Sequence, residues 1–151
     1  AGRGEAVARR DNYCEIDPSV VDKYGIPVLR FNVKWSDYEV KQAKHMKDTF
    51  KEIMHNMGAV ITWGGNDGPV NKYGLESPGK IIHEGGTARM GSDAKTSALN
   101  KWNQAHDCKN LFVVDGAAFT SQADKNITWT ILALSMRTSE YIIDELKKQN
   151  L

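Results

Sequence analysis

The sequence predicts a mixed fold of the α+β and α/β kinds, and three observations predict it. Apolar and polar residues alternate over Tyr13–Ile16 and Val28–Trp35, the period-2 signature of strands with one buried face. Ala43, Met46, Phe50, Ile53, Met54 and Met57 recur at steps of three and four, the signature of a helix with one buried stripe. Later, the four-residue apolar run Leu111–Val114 stands ahead of a second helical stretch, Ile127 to Lys148.

The first two strands are joined by DPSVVDKYGIP, a turn-rich segment punctuated by Pro18, Gly25 and Pro27. The first helix has the best-defined boundaries. Ser36 with Glu39 three residues on forms a capping box, and Gly58 ends the helix with a left-handed cap. His45 and His55 lie ten residues apart on that helix, too far around it to act as an adjacent pair, so both read as surface or boundary residues. Gly58 to Gly65 reads as a short buried strand. It leads into a loop from Asn66 to Lys80 with five glycine or proline residues among fifteen, a segment suited to edging a pocket. Trp63 in that strand suits a core position, with stacking on a sugar ring as the alternative. His83 to Gly91 is loop, Ser92 to Cys108 is irregular and polar, and the final helix carries Ile131, Leu134, Thr138, Ile142 and Leu146 on one face.

Composition bounds the function. The chain has 151 residues, enough for one domain, and 40% apolar with 26% charged residues is ordinary for a soluble globular protein. A net charge of +1 gives no electrostatic case for nucleic acid or an anionic membrane. No apolar run approaches the roughly 18 residues needed to span a bilayer. Cys14 and Cys108 are isolated in sequence, with no spacing that suits zinc, and read as reduced thiols. A disulfide between them stays open, so they fix no compartment. The opening AGRGEAVARR has neither an initiator methionine nor a signal peptide's apolar stretch, which reads as processing or as a fragment of a longer protein, the fragment being favoured.

The chemistry concentrates in the second half. The run HEGGTARMG, His83 to Gly91, sets a histidine before a Gly-Gly-Thr turn, where backbone without a Cβ can approach a ligand closely. An imidazole with an ordinary pKa of about 6.5 takes a proton at neutral pH. Further on come NLFVVDG, from Asn110, and then KNITWTILAL, from Lys125. Asp115 and Gly116 end the apolar run at what would be the carboxyl edge of a sheet, where ligands of open α/β folds gather, or they simply turn the chain. Asn126 stands where the helix begins and is a strong N-cap residue.

Together these segments resemble the C-terminal region of the glucose-methanol-choline (GMC) family of flavin-dependent oxidoreductases. The matching positions are His83, Gly86, Thr87, Arg89, Met90 and Gly91, then Val113, Val114, Asp115 and Gly116, then Asn126 and Thr128. TSALNKWNQAHDCKNLFVVDGAAFTS is similar to the bacterial sugar and polyol dehydrogenase branch, with pyranose oxidases more distant. The resemblance implies FAD as cofactor and oxidation of a sugar or polyol hydroxyl to a carbonyl. In that role His83 removes the hydroxyl proton and Asn126 holds the same oxygen. Gly86, Thr87, Asp115, Gly116, Asn126, Ile127 and Thr128 lie near the flavin, the amides of Ile127 and Thr128 facing its pyrimidine edge. Arg89 and Met90 are structural, a paired buried arginine and a core methionine. Many relatives have proline where Ile127 stands, which leaves the helix start less firmly preset.

The family holds the ADP part of FAD with a GxGxxG turn between strand and helix, and this sequence has none. The expected partner is therefore an N-terminal FAD-binding portion, upstream or in a separate chain. Alone, the polypeptide is not expected to be active. A small subunit or electron-acceptor protein is a further partner of the branch resembled. Residues 1–79 are expected to form a substrate-binding lobe, antiparallel sheet with a packed helix. Residues 80–151 are expected to supply the active-site loop and return a strand and helix to the FAD-binding domain. A dehydrogenase is favoured over an oxidase, and a bacterial cytoplasm and periplasm are equally open. The rival reading is a non-catalytic carbohydrate-binding or interaction module on the same fold, supported by the missing GxGxxG.

Overall fold

The computed structural model describes residues 2–62, 68–80, 82–122 and 125–151. Strand β1 runs Tyr13–Val21 and pairs antiparallel with β2, Pro27–Asn32, setting Cys14 opposite Phe31 and Ile16 opposite Leu29. β1 continues past Ile16 through part of the segment that reads as turn. Asp17 folds its carboxylate back on the Ser19 amide and hydroxyl at 2.9 and 2.7 Å. The register shifts between Ile16 and Val21, so Pro18 sits in an irregularity where no ladder bond needs its missing N–H. The connection closes on Asp22, which accepts from the Tyr24 and Ile26 amides at 2.8 and 3.0 Å.

The expected buried face of this sheet is open. Cys14, Ile16, Leu29 and Phe31 share one face, and Ile16 and Phe31 are each 66% exposed. Two strands need a third or a covering layer to bury a face, and the described residues leave this one uncovered.

Helix α1, Asp37–Asn56, starts as its sequence dictates. Ser36 Oγ accepts from the Tyr38 amide at 3.2 Å, and Glu39 accepts from the Ser36 amide at 2.6 Å. Glu39 is 3% exposed and also accepts from the Val7 amide at 2.9 Å, with the Arg9 guanidinium 3.8 Å away. The N-terminal segment is thereby pinned to the first turn of the helix. Burial acts to raise the Glu39 pKa, but hydrogen bonds from the Ser36 hydroxyl and from the Val7 and Ser36 amides outweigh it and hold the carboxyl below its usual value. At the other end Gly58, at φ +71°, and Ala59 donate to His55 and Met54 at 2.9 Å each, a Schellman stop. Gly2 lies against Met46 and Phe50, while Ile53, Met54 and Met57 stay exposed, as do His45 and His55.

The expected strand after Gly58 is not formed through Thr62, and Val60 is 84% exposed. A lone extended segment gains nothing from strand geometry without a neighbour to bond. The rest of that segment, with Trp63, lies outside the described residues. Pro69–Gly74 makes a 3-10 turn packed against α1, and Trp35 donates its indole N–H to the Glu76 carbonyl at 2.7 Å.

In the second half the apolar core is small: Leu99, Ala105 and Ala118, joined by Ala88, Met90 and Val113. Met90 thus has its expected place. Arg89 does not, being exposed and donating Nε to the Thr96 carbonyl at 2.8 Å. Helix α2, Thr128–Lys147, packs on this half through buried Thr138, whose hydroxyl donates to the Trp102 carbonyl and Asn103 Oδ1 at 3.1 and 3.2 Å. Tyr141 stacks on Trp102 with ring centroids 4.9 Å apart, and its hydroxyl donates to Gln104.

The expected strand at Leu111–Val114 is only a bridge. Phe112 pairs with Gln104, and two amides reach that neighbour, Ala105 to Leu111 and Val113 to Asn103, each at 2.9 Å. The second Val113 bond comes from a side chain, Asn103 Nδ2 to its carbonyl at 2.9 Å. Asn103 is fully buried at φ +60°, a conformation that breaks its own segment as a strand. Leu111 is half exposed as a result.

Candidate active site

The loop after His83 is held by its backbone. Gly86, Ala88 and Met90 donate to the carbonyls of Gly116, Ala117 and Ala118 at 3.3, 3.0 and 2.9 Å. The loop therefore runs alongside the 3-10 turn Gly116–Ala118 that follows Asp115. Glycine permits the fit at two places. Gly86 has φ +86°, and a Cβ there would stand 3.2 Å from the Phe119 carbonyl oxygen. A Cβ on Gly116 would stand 3.2 Å from Ile127 Cδ1 and 3.4 Å from the Glu84 carbonyl oxygen. Three segments distant in sequence, the His83 loop, the Asp115 turn and the start of α2, thus meet at Gly116.

His83 is half-buried at φ +83°, and neither ring nitrogen has a hydrogen-bond partner among the described residues. Thr87 is exposed beside Gly86. Asp115 is exposed and accepts from the Ala117 amide at 2.8 Å, so its carboxylate caps the turn that the loop rests on.

Asn126 is not the N-cap of α2. That position belongs to Ile127, which has helical backbone angles and offers no side-chain bond, and the helix opens with the Ile131 amide on the Ile127 carbonyl at 2.9 Å. Ile127 is buried against Gly116, so packing sets where the helix begins. The Asn126 carboxamide is left exposed and unpaired among the described residues. With no side chain capping them, the first-turn amides from Thr128 onward face outward with the positive end of the helix dipole.

Asn126 and Ile127 line an open cleft of about 230 Å³ with Met90, Phe119, Gln122 and Thr130. His83 is not among the lining residues. It reaches the cleft through its loop, whose far end supplies Met90. Sequence reasoning missed the Phe119–Gln122 wall. Its signal was the polar run Thr120, Ser121, Gln122 between a buried turn and a helix start, where nothing in a fold's own core calls for three hydrogen-bonding side chains.

Backbone packed against backbone at Gly86 and Gly116, beside a helix start with no side-chain cap, is what the structure brings together at the sequence-predicted site. The family model described as GMC oxidoreductase matches residues 8–135, and the chain belongs to this family as its C-terminal domain. It is 35% identical over 139 residues to 2-methyl-1,2-propanediol dehydrogenase of Mycolicibacterium austroafricanum, covering 92% of this chain and 24% of that protein. It is 32% identical over 139 residues to the gluconate 2-dehydrogenase flavoprotein of Pantoea cypripedii, covering 92% and 22%. With pyranose 2-oxidase of Tricholoma matsutake the identity is 24% over 130 residues, covering 86% and 22%. The chain spans about a quarter of the length of the first two relatives. The two-stranded antiparallel sheet and the two helices are compatible with that family's C-terminal domain. No helix among the described residues is long and apolar enough to cross a membrane.

Proposed function

We propose that this chain is the substrate-facing, C-terminal portion of an FAD-dependent oxidoreductase that oxidises a CH–OH group of a sugar or polyol to a carbonyl. The observation that carries the reading is the meeting of the His83 loop, the Asp115–Gly116 turn and the start of α2 at one glycine. Family membership and relatives named as dehydrogenases of a diol and of gluconate support it.

The residues present suit the cofactor. Gly86, Thr87, Asp115 and Gly116 offer closely packed main chain, and the uncapped amides of Ile127 and Thr128 suit an electron-rich ring edge. FAD, when bound, supplies the acceptor for the hydride that leaves the substrate carbon. This chain's own work is positional and acid–base. His83 takes the hydroxyl proton on an imidazole nitrogen that has no partner among the described residues. Asn126 donates to the same oxygen and does not titrate near neutral pH, so it orients the hydroxyl without competing for the proton. Residues 1–79 act as the substrate-binding lobe and 80–151 as the part that completes the flavin site. The remaining length found in the relatives supplies the dinucleotide-binding portion, and the chain by itself is inactive.

The test is His83→Ala in the full-length protein, read as anaerobic reduction of bound flavin by substrate. Loss of a general base slows the step by roughly 10²–10⁴-fold, with FAD still bound. Near-normal reduction removes His83 from the role, and a full-length protein that holds no flavin removes the whole reading in favour of a binding module. Electron transfer to a dye or quinone without release of hydrogen peroxide identifies the dehydrogenase; peroxide release identifies an oxidase.

A further inference from the structure

Gln122 stands where the loop after His83 meets the cleft beside Asn126. Its side chain lines the cleft, and its Oε1 lies 3.0 Å from where a Cβ on Gly85 would be. The carboxamide therefore rests on backbone two residues past His83. Gln122 is half-buried, and its amide has no hydrogen-bond partner among the described residues. Its polar atoms are not buried, so they meet water now and can bond a ligand that displaces it. Thr120, Ser121, Asn126 and Thr130 line the same cleft and likewise have no side-chain partner among the described residues. Lys125, also in the lining, has a partner of its own.

Uncharged hydroxyls and carboxamides, each able to donate and accept, match a ligand that carries several neighbouring hydroxyls. A simple alcohol offers one such group and would engage only one of these side chains.

We propose that Gln122 is a positioning residue that determines specificity: it hydrogen-bonds the hydroxyl adjacent to the one being oxidised, so that the site selects polyhydroxy substrates with a vicinal hydroxyl. The inference rests on the function proposed above, with Asn126 holding the reacting oxygen from the same cleft. Gln122 contributes no proton transfer. Its effect is to set the substrate carbon in register with the base, and it acts through binding energy that a substrate lacking the second hydroxyl cannot supply.

The test is a cycle between protein and substrate in the full-length flavoprotein. Glycerol, sorbitol, glucose and fructose are compared with their monodeoxy analogues in wild type, Gln122→Leu and Gln122→Glu, with kcat and KM separated and the flavin spectrum recorded. In the wild type, loss of the vicinal hydroxyl lowers kcat/KM by about tenfold or more. Gln122→Leu reduces that discrimination to about threefold or less, chiefly through KM for the intact polyol. Gln122→Glu, which keeps the length and an acceptor, retains part of it, and the flavin spectrum is the same in all three. A protein that oxidises polyols with equal discrimination in wild type and Gln122→Leu overturns this inference alone. Equal losses on intact and deoxy substrates, or a shifted flavin spectrum, also overturn it, by placing Gln122 in the fold or against the flavin. A wild type that reduces its flavin with none of the panel overturns the proposed function and this inference with it.

Discussion

Position 83 offers a test in which stability and activity separate. His83 has φ +83°, where the β-carbon of an L-residue crowds its neighbouring carbonyl at a cost of roughly 1–2 kcal/mol. Glycine avoids that crowding, but its greater freedom in the unfolded chain costs about 0.5–1 kcal/mol relative to alanine. At an ordinary position alanine is the more stable replacement. At this one the crowding exceeds the entropy, so His83→Gly should be more stable than His83→Ala by about 0.5–1 kcal/mol. Both variants lack the imidazole and should lose flavin reduction to the same degree. Urea denaturation of the two full-length variants, followed by intrinsic fluorescence with equal m-values required, measures the difference. Alanine equal to or more stable than glycine refutes the left-handed backbone at 83, and with it the loop geometry that places the histidine.

Two further outcomes follow from the same contacts. Gly86→Ala meets both a φ of +86° and the Phe119 carbonyl at 3.2 Å, so it should destabilise by about 1 kcal/mol or more and lower FAD occupancy, read by denaturation midpoint and flavin-to-protein absorbance ratio. Glu39 has a folded-state pKa depressed below its unfolded value of about 4.3, so its contribution to α1 is complete above that value and is lost as pH falls through the folded pKa. Hydrogen exchange of the α1 amides should lose protection on acidification in the wild type, and Glu39→Gln should abolish that dependence.

What the sequence makes legible is what local chemistry decides. The capping box at Ser36 and Glu39 and the glycine stop at 58 need only neighbours within one turn, and both form as read. The expected face of α2 also holds, from half-buried Ile131 and Leu134 to buried Thr138, with Leu146 left exposed. Strands depend on partners remote in sequence, and there the reading fails. Leu111–Val114 has the composition of a buried strand, yet its neighbour is bent by Asn103 and only a bridge forms. Asn126 has the composition of a cap, but Ile127 is drawn into contact with Gly116 and fixes the helix start one residue later. Gly86 announces its positive φ by being glycine. His83 does not, because no side-chain property of histidine signals a left-handed backbone. Gln122 is legible only once Gly85 is seen beneath it.

The exposed apolar surface bears on how the site works. Trp129, Leu132, Met136 and Ile143 on α2 are 52–83% exposed, while the same helix uses Thr138 and Tyr141 to grip its own half of the chain. A helix apolar on two sides belongs between two packing surfaces. Trp129 stands in the first turn, three residues past Asn126, so one open face begins where the exposed Asn126 carboxamide and the uncapped amides also lie. On the proposed reading, the rest of the flavoprotein covers this face and dries the helix start that meets the flavin. Removing water there would strengthen electrostatic interactions of the helix amides with a bound cofactor and lower the effective dielectric beside Asn126. The surface that completes the fold and the surface that completes the chemistry are then continuous, which is a physical reason for the two portions to act only together.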